Sequence, residues 1–116
     1  MQESYPMLDR RRQAVLKRIA RGGPFLMATP TWLKVRCGNP RCECAMNRKK
    51  RHEKLHLSWT EAGNKSGTLY VPVDLRQEVL EWTENYWVLK ERIHEMNTLS
   101  RKMIRMYVRS QKKRRG

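Results

Sequence analysis

A single Phe in 116 residues, 11 Asp plus Glu against 26 Lys plus Arg, and only three cysteines bound this chain before any motif is considered. So few large apolar side chains can build only a small core, of the kind that leans on a metal, a partner or a crosslink. No apolar run approaches the roughly 20 residues of a membrane span, so no membrane partner is expected. The first residues, MQESYPMLDRRRQ, lack the apolar core of a signal peptide, which predicts a cytoplasmic protein, nucleoid- or ribosome-associated where it meets nucleic acid. Three cysteines is an odd number, and Cys42 and Cys44 are too close to bond each other easily, which argues against a secreted disulfide framework. The chain also has no nucleophile elbow, phosphate-binding glycine loop, paired-carboxylate signature or H-x-E…P-C-x-x-C deaminase pattern. No catalysis is expected.

What the chain has in excess is positive charge, a net +15, and it is unevenly placed. Residues 1–73 hold 15 basic and 5 acidic residues, a net +10. Residues 74–100 hold 3 basic and 6 acidic, a net −3, and residues 101–116 hold 8 basic and none acidic. Blocks this basic seek polyanions, of which nucleic acid, DNA or RNA, is the commonest inside cells.

The pattern predicts an α+β fold in one small domain over 1–108, followed by a basic tail over 109–116. A helix is expected over 6–21, capped by Ser4 or Tyr5, with Leu8, Val15 and Ile19 on one face and Gly22-Gly23-Pro24 to end it. Thr31 to Val35 suggests a short strand. Leu55, Leu57 and Trp59 alternate with polar residues, and Leu69, Val71 and Val73 with Tyr70 and Pro72, which predicts a β-hairpin over 55–73 with a five-to-seven-residue loop in Glu61–Gly67. A long helix follows over 74–108, with Asp74 and Gln77 as a capping box. Its seam reads Leu75, Val79, Trp82, Tyr86, Leu89, Ile93, Met96, Ser100, Met103 and Tyr107, a heptad-like, coiled-coil rhythm. That seam either packs on the hairpin and first helix or, in its distal half, pairs with another copy or a protein partner.

The chemical signal lies in a loop over 37–52. Cys37, Cys42 and Cys44 have C-x4-C-x-C spacing, and His52 follows. Thiolates and imidazole are the preferred ligands of Zn²⁺, and four of them close a tetrahedral structural site. Gly38 and Pro40 suit the tight turn, while Arg36, Arg41, Arg48 and Lys49 would favour the thiolate forms. Glu53 beside His52 is a poor general base, since adjacent residues on an extended chain point apart.

The run C-G-N-P-R-C-E-C, then H, L-S-W, Y-V-P-V-D-L and E-V-L-E-W-T-E-N-Y-W resembles an uncharacterised family of small bacterial and archaeal proteins. The resemblance spans roughly residues 31–100. It implies the same architecture and carries Cys37, Cys42, Cys44 and His52 over as motif positions, without implying an activity. This chain has His52-Glu-Lys-Leu where that family tends to have glycine, proline and tyrosine after the histidine.

Backbone contact with nucleic acid falls to Arg10, Arg11 and Arg12; to Arg48, Lys49, Lys50 and Arg51; and to Arg109, Lys112, Lys113, Arg114 and Arg115. Trp32 is the first candidate for stacking on bases, ahead of Trp59 and Tyr70, while Trp59 and Trp82 are expected in the core. No helix-turn-helix, two-Cys-two-His finger or RNA-recognition-motif signature announces base reading. Three readings follow. The first is a zinc-stabilised, accessory nucleic-acid-binding protein. The second is a structural RNA-binding component of a ribonucleoprotein particle such as the ribosome. The third is a dimeric interaction module built on the long helix.

Overall fold

The alternating hairpin residues and the two helical periods fold as an α+β chain in the order α1 (Tyr5–Arg21), β1 (Thr29–Val35), β2 (His52–Glu61), β3 (Lys65–Tyr70) and α2 (Arg76–Arg115). The computed structural model describes residues 3–36 and 38–115, the side chains of Cys44, Arg48 and Arg115 excepted. The chain forms two compact units, Met1–Pro24 with Asn85–Gly116, and Phe25–Glu84. The expected boundary at residue 108 falls inside α2, which continues unbroken to Arg115.

The first unit is built from α1 and the distal part of α2. Ser4 caps α1, its hydroxyl accepting from the Met7 amide at 3.3 Å, and Pro6 occupies the first turn where no amide partner is needed. The helix stops at Gly22, whose N–H donates to the Ile19 carbonyl at 3.1 Å. Leu8 and Val15 pack against Leu99 and Met103, with Ile19, Met96 and Met106 around them. Arg18 reaches Glu95 at 3.2 Å, and Arg12 donates to Ser100 Oγ at 3.3 Å. Asn85 Nδ2 donates to the Pro24 carbonyl at 2.8 Å, holding the start of the chain connection on the helix.

The second unit is a three-stranded antiparallel sheet in the order β1-β2-β3, backed by the start of α2. The expected hairpin is there, and Thr31–Val35 is part of a third strand that begins at Thr29. The turn between β2 and β3 is shorter than expected, Ala62 to Asn64, with φ +82° at Gly63 and +62° at Asn64. Gly and Asn are the residues that tolerate that left-handed region, so the chain reverses in three residues and Lys65, Ser66 and Gly67 become strand. Trp59 pairs with Gly67 across the ladder, and its ring fills the place that a Cβ at 67 would occupy.

Ala28, Leu55, Leu57, Val71 and Val79 form this unit's core, with Leu26, Trp59, Leu80 and Trp82 partly buried against it. Backbone bonds from Leu26 N to Trp82 O and from Val71 N to Leu55 O tie the edges down. Arg76 adds a latch, its Nη2 donating to the Glu53 carbonyl at 3.0 Å while its guanidinium lies 5.1 Å from the centre of the Trp32 ring.

Asp74 is not the cap of α2: it lies within the 3-10 turn Val73–Leu75, which Pro72 introduces. Nor does one heptad seam describe the helix. Val79, Thr83, Leu99 and Met103 are its buried residues, whereas the seam positions Ile93 and Tyr107 are 47% and 57% exposed. Each part of α2 packs into a different core, so a single register cannot serve both. The buried Thr83 hydroxyl satisfies itself on the Leu80 carbonyl at 2.9 Å. Among the described residues no helix is long and apolar enough to cross a membrane.

Candidate metal centre and nucleic-acid interface

The last rung of the β1–β2 ladder pairs Val35 with His52, so the segment between them leaves one strand end and returns to its neighbour. Two short turns compress it. Asn39 Oδ1 accepts from the Arg41 amide at 3.0 Å and the Asn39 carbonyl from the Cys42 amide at 3.1 Å. Asn47 repeats the device, its Oδ1 accepting from the Lys49 amide at 3.0 Å and its carbonyl from Lys50. The 3-10 turns Glu43–Ala45 and Arg48–Lys50 are joined by a Lys50–Glu43 ion pair at 3.7 Å. Gly38, at φ +86°, makes the entry turn that a side chain would resist.

No described residue from 36 to 51 is buried, and Met46 is 94% exposed. A loop of this length with no apolar anchor among its described residues needs another constraint. The folding of the loop supplies part of one by bringing Cys42 Sγ to 3.4 Å from His52 Nε2. A tetrahedral zinc with Zn–S of about 2.3 Å and Zn–N of about 2.0–2.1 Å would hold sulfur and nitrogen about 3.5 Å apart. The separation therefore fits one edge of such a site. Among the described residues no third Cys, His, Asp or Glu joins this pair. Of the other two expected ligands, Cys37 lies outside the described residues, as does the side chain of Cys44, whose backbone lies in the first 3-10 turn.

The expected phosphate contacts divide into engaged and available cations. Arg11 pairs with Glu3 at 2.8 Å and Arg12 with Asp9 at 2.9 Å, so both are partly committed within the protein. Arg10, Lys49, Arg51, Arg109, Lys112, Lys113 and Arg114 make no ion pair among the described residues. The side chains of Arg48 and Arg115 lie outside the description. Arg109, Lys112, Lys113 and Arg114 line one open groove with Met106, Ser110 and Glu3. The helix accounts for this in part: Lys112 and Lys113 lie three and four positions from Arg109, and Arg114 lies four from Ser110. Glu3, the only carboxylate among the described residues of that lining, is already held by Arg11 and by Lys102 at 3.5 Å.

Of the aromatic candidates, Trp32 is 48% exposed but has Arg76 over its ring, which leaves Trp32 a structural partner. Tyr70, a lesser candidate from sequence, instead stands beside His56 with ring centres 5.1 Å apart and planes at 51°. Sequence spacing gave no sign of this pair, because the register that makes Tyr70 face His56 is set by the turn.

A family model described as a domain of unknown function (DUF6788) matches residues 5–81, and the chain belongs to that family. The match takes in α1, the sheet, the cysteine loop and the first turns of α2, while the basic end of α2 lies beyond it. No curated protein and no solved structure matches the chain.

Proposed function

We propose that this protein is a zinc-stabilised nucleic-acid-binding protein that grips the phosphate backbone and has an accessory rather than a catalytic role. The observation that carries the reading is the groove at the end of α2, where four cations line a surface whose one carboxylate among the described residues is already neutralised. Holding like charges together costs self-repulsion, which a polyanion relieves by releasing its counterions on binding. The helical extension of the basic stretch strengthens the reading, since it fixes the cations at a regular spacing instead of on a free tail.

Zinc in this reading fastens the 37–51 loop to the sheet end, with Cys42 and His52 as two ligands and Cys37 and Cys44 as the others. That holds Lys49, Lys50 and Arg51 beside the first residues of β2. A structural role is supported by Glu53, the carboxylate next to His52, which by the strand pleat points to the opposite face. It offers no base to a metal-bound water. The test is equilibrium binding of nuclease-treated protein to duplex DNA, single-stranded DNA and structured RNA across a salt series, with zinc quantified in the same preparation. The reading expects one zinc per chain and a slope of log affinity against log salt corresponding to about six or more phosphates. Tight binding with a flat slope, or none to any polymer at low salt, rejects it.

A further inference from the structure

We infer that the sheet face turned away from α2 stacks the bases of single-stranded nucleic acid on the His56–Tyr70 pair, an inference that rests on the nucleic-acid reading above. The pleat and register define this face without ambiguity. Leu55 and Leu57 point into the core with Val79 of α2, so the even-numbered residues of β2 point the other way. Cross-strand partners share a face, which aligns Thr31, His56 and Tyr70 in one rung across all three strands. Leu33 and Lys54 form the next rung towards the cysteine loop, and Ser58 with Thr68 the rung on the other side.

Three features distinguish this face from an ordinary solvated one. None of its residues is buried, and Tyr70, at the end of the edge strand β3, is 57% exposed, so the rings have no covering layer within this unit. It carries no carboxylate, because the two strand glutamates, Glu53 and Glu61, fall on the opposite parity of β2. Around the rings lie hydroxyls and one lysine, Lys54, two positions from His56 and about 7 Å away along the strand. Cross-strand stabilisation would account for the ring contact alone. It does not account for an exposed Tyr70 ring beside a half-buried His56 in a carboxylate-free, hydroxyl-rich field that adjoins the basic turn 48–51.

The chemistry that fits is a polyanion with accessible flat faces. In a duplex the base faces are already stacked on one another, and only edges and backbone are presented. A single strand offers its base faces to aromatic side chains, and its phosphates to a cation beside them. Two rings tilted at 51° give two facets, suited to two successive bases that are not parallel.

The test uses the full-length protein and fluorescently labelled single-stranded and duplex oligonucleotides of one length. Tyr70→Ala, at an exposed position, is expected to weaken single-strand binding roughly tenfold, within the range for losing one stacked base. Its salt slope and its duplex affinity should equal those of the wild type, and Tyr70→Phe should stay within about twofold of the wild type on the single strand. His56→Ala, with its melting curve measured alongside, provides a second variant expected to lose single-strand affinity in the same way. If both alanine variants bind the single strand as the wild type does, or lose single-strand and duplex affinity alike, the stacking inference falls and the backbone-binding reading stands. If the wild type itself binds no nucleic acid at low salt, both fall.

Discussion

The two compact units differ far more in charge than in size. Met1–Pro24 with Asn85–Gly116 carries 16 basic and 4 acidic residues, a net +12, on a framework of two helices. Phe25–Glu84 carries 10 basic and 7 acidic, a net +3, on a sheet with an open face and a cysteine-bearing loop. Charge drives association at a distance and is indifferent to sequence, whereas rings and hydroxyls on a rigid sheet act only at contact. On the proposed function, the contrast assigns attraction and discrimination to different parts of one short chain. It also separates what stabilises each part: helix pairing around Leu8 and Leu99 in one, and a thin sheet core in the other.

That contrast can be broken most forcefully at the loop. If the loop holds zinc as proposed, Cys42→Ser or His52→Ala should release it and free the 37–51 loop, since structural zinc contributes on the order of 10 kcal/mol of binding free energy in small metal-dependent folds. Hydrogen exchange should then rise across that loop while α1 and residues 96–106 of α2 keep their protection. Loss of protection throughout both units would mean that the loop supports the whole chain.

Core truncations sharpen the comparison next. Leu57→Ala, at a position only 2% exposed, should cost about 2–5 kcal/mol, and Leu99→Ala in the other unit a similar amount. Denaturant unfolding followed by exchange in each unit should show each change weakening its own unit first. A single shared transition in both variants would show that the units unfold as one.

Gly67→Ala comes third. Its new methyl group meets the Trp59 ring, and overpacking of this kind costs about 1–3 kcal/mol, which thermal melting would register. Pairing it with Trp59→Leu should recover part of the loss. The smallest effect is at the helix cap, where Ser4→Ala should cost about 1 kcal/mol and leave the sheet unit's exchange unchanged.

Much of this architecture was legible where one periodicity met one environment. Leu8 and Val15 follow the helical repeat and are buried; Leu55 and Leu57 follow the strand alternation and are buried. The capping serine and the Gly22-Gly23-Pro24 stop behave as local chemistry requires. Illegible features depend on contacts distant in sequence. Thr83 and Leu99 are buried outside the expected seam because α2 changes partner along its length. Asp74 lost its capping place to a 3-10 turn that Pro72 began. The reversal at Ala62–Asn64, shorter than the turn residues of Glu61–Gly67 suggested, decided which residue of β3 faces His56. Of the candidate site, spacing named Cys42 and His52, which stand 3.4 Å apart, while the commitment of Arg11 and Arg12 to Glu3 and Asp9 required the folded helices.

The most direct measurement of the central claim compares salt slopes for the wild type and for a variant with Arg109, Lys112, Lys113 and Arg114 all changed to Gln. Helicity and melting would first establish that both are folded. If these four cations each neutralise a phosphate, the slope of log affinity against log salt on duplex DNA should fall by about 3.6, and by about 2.8 on a single strand. An unchanged slope, with binding retained, would contradict the account, because the groove at the end of α2 would then hold no part of the backbone.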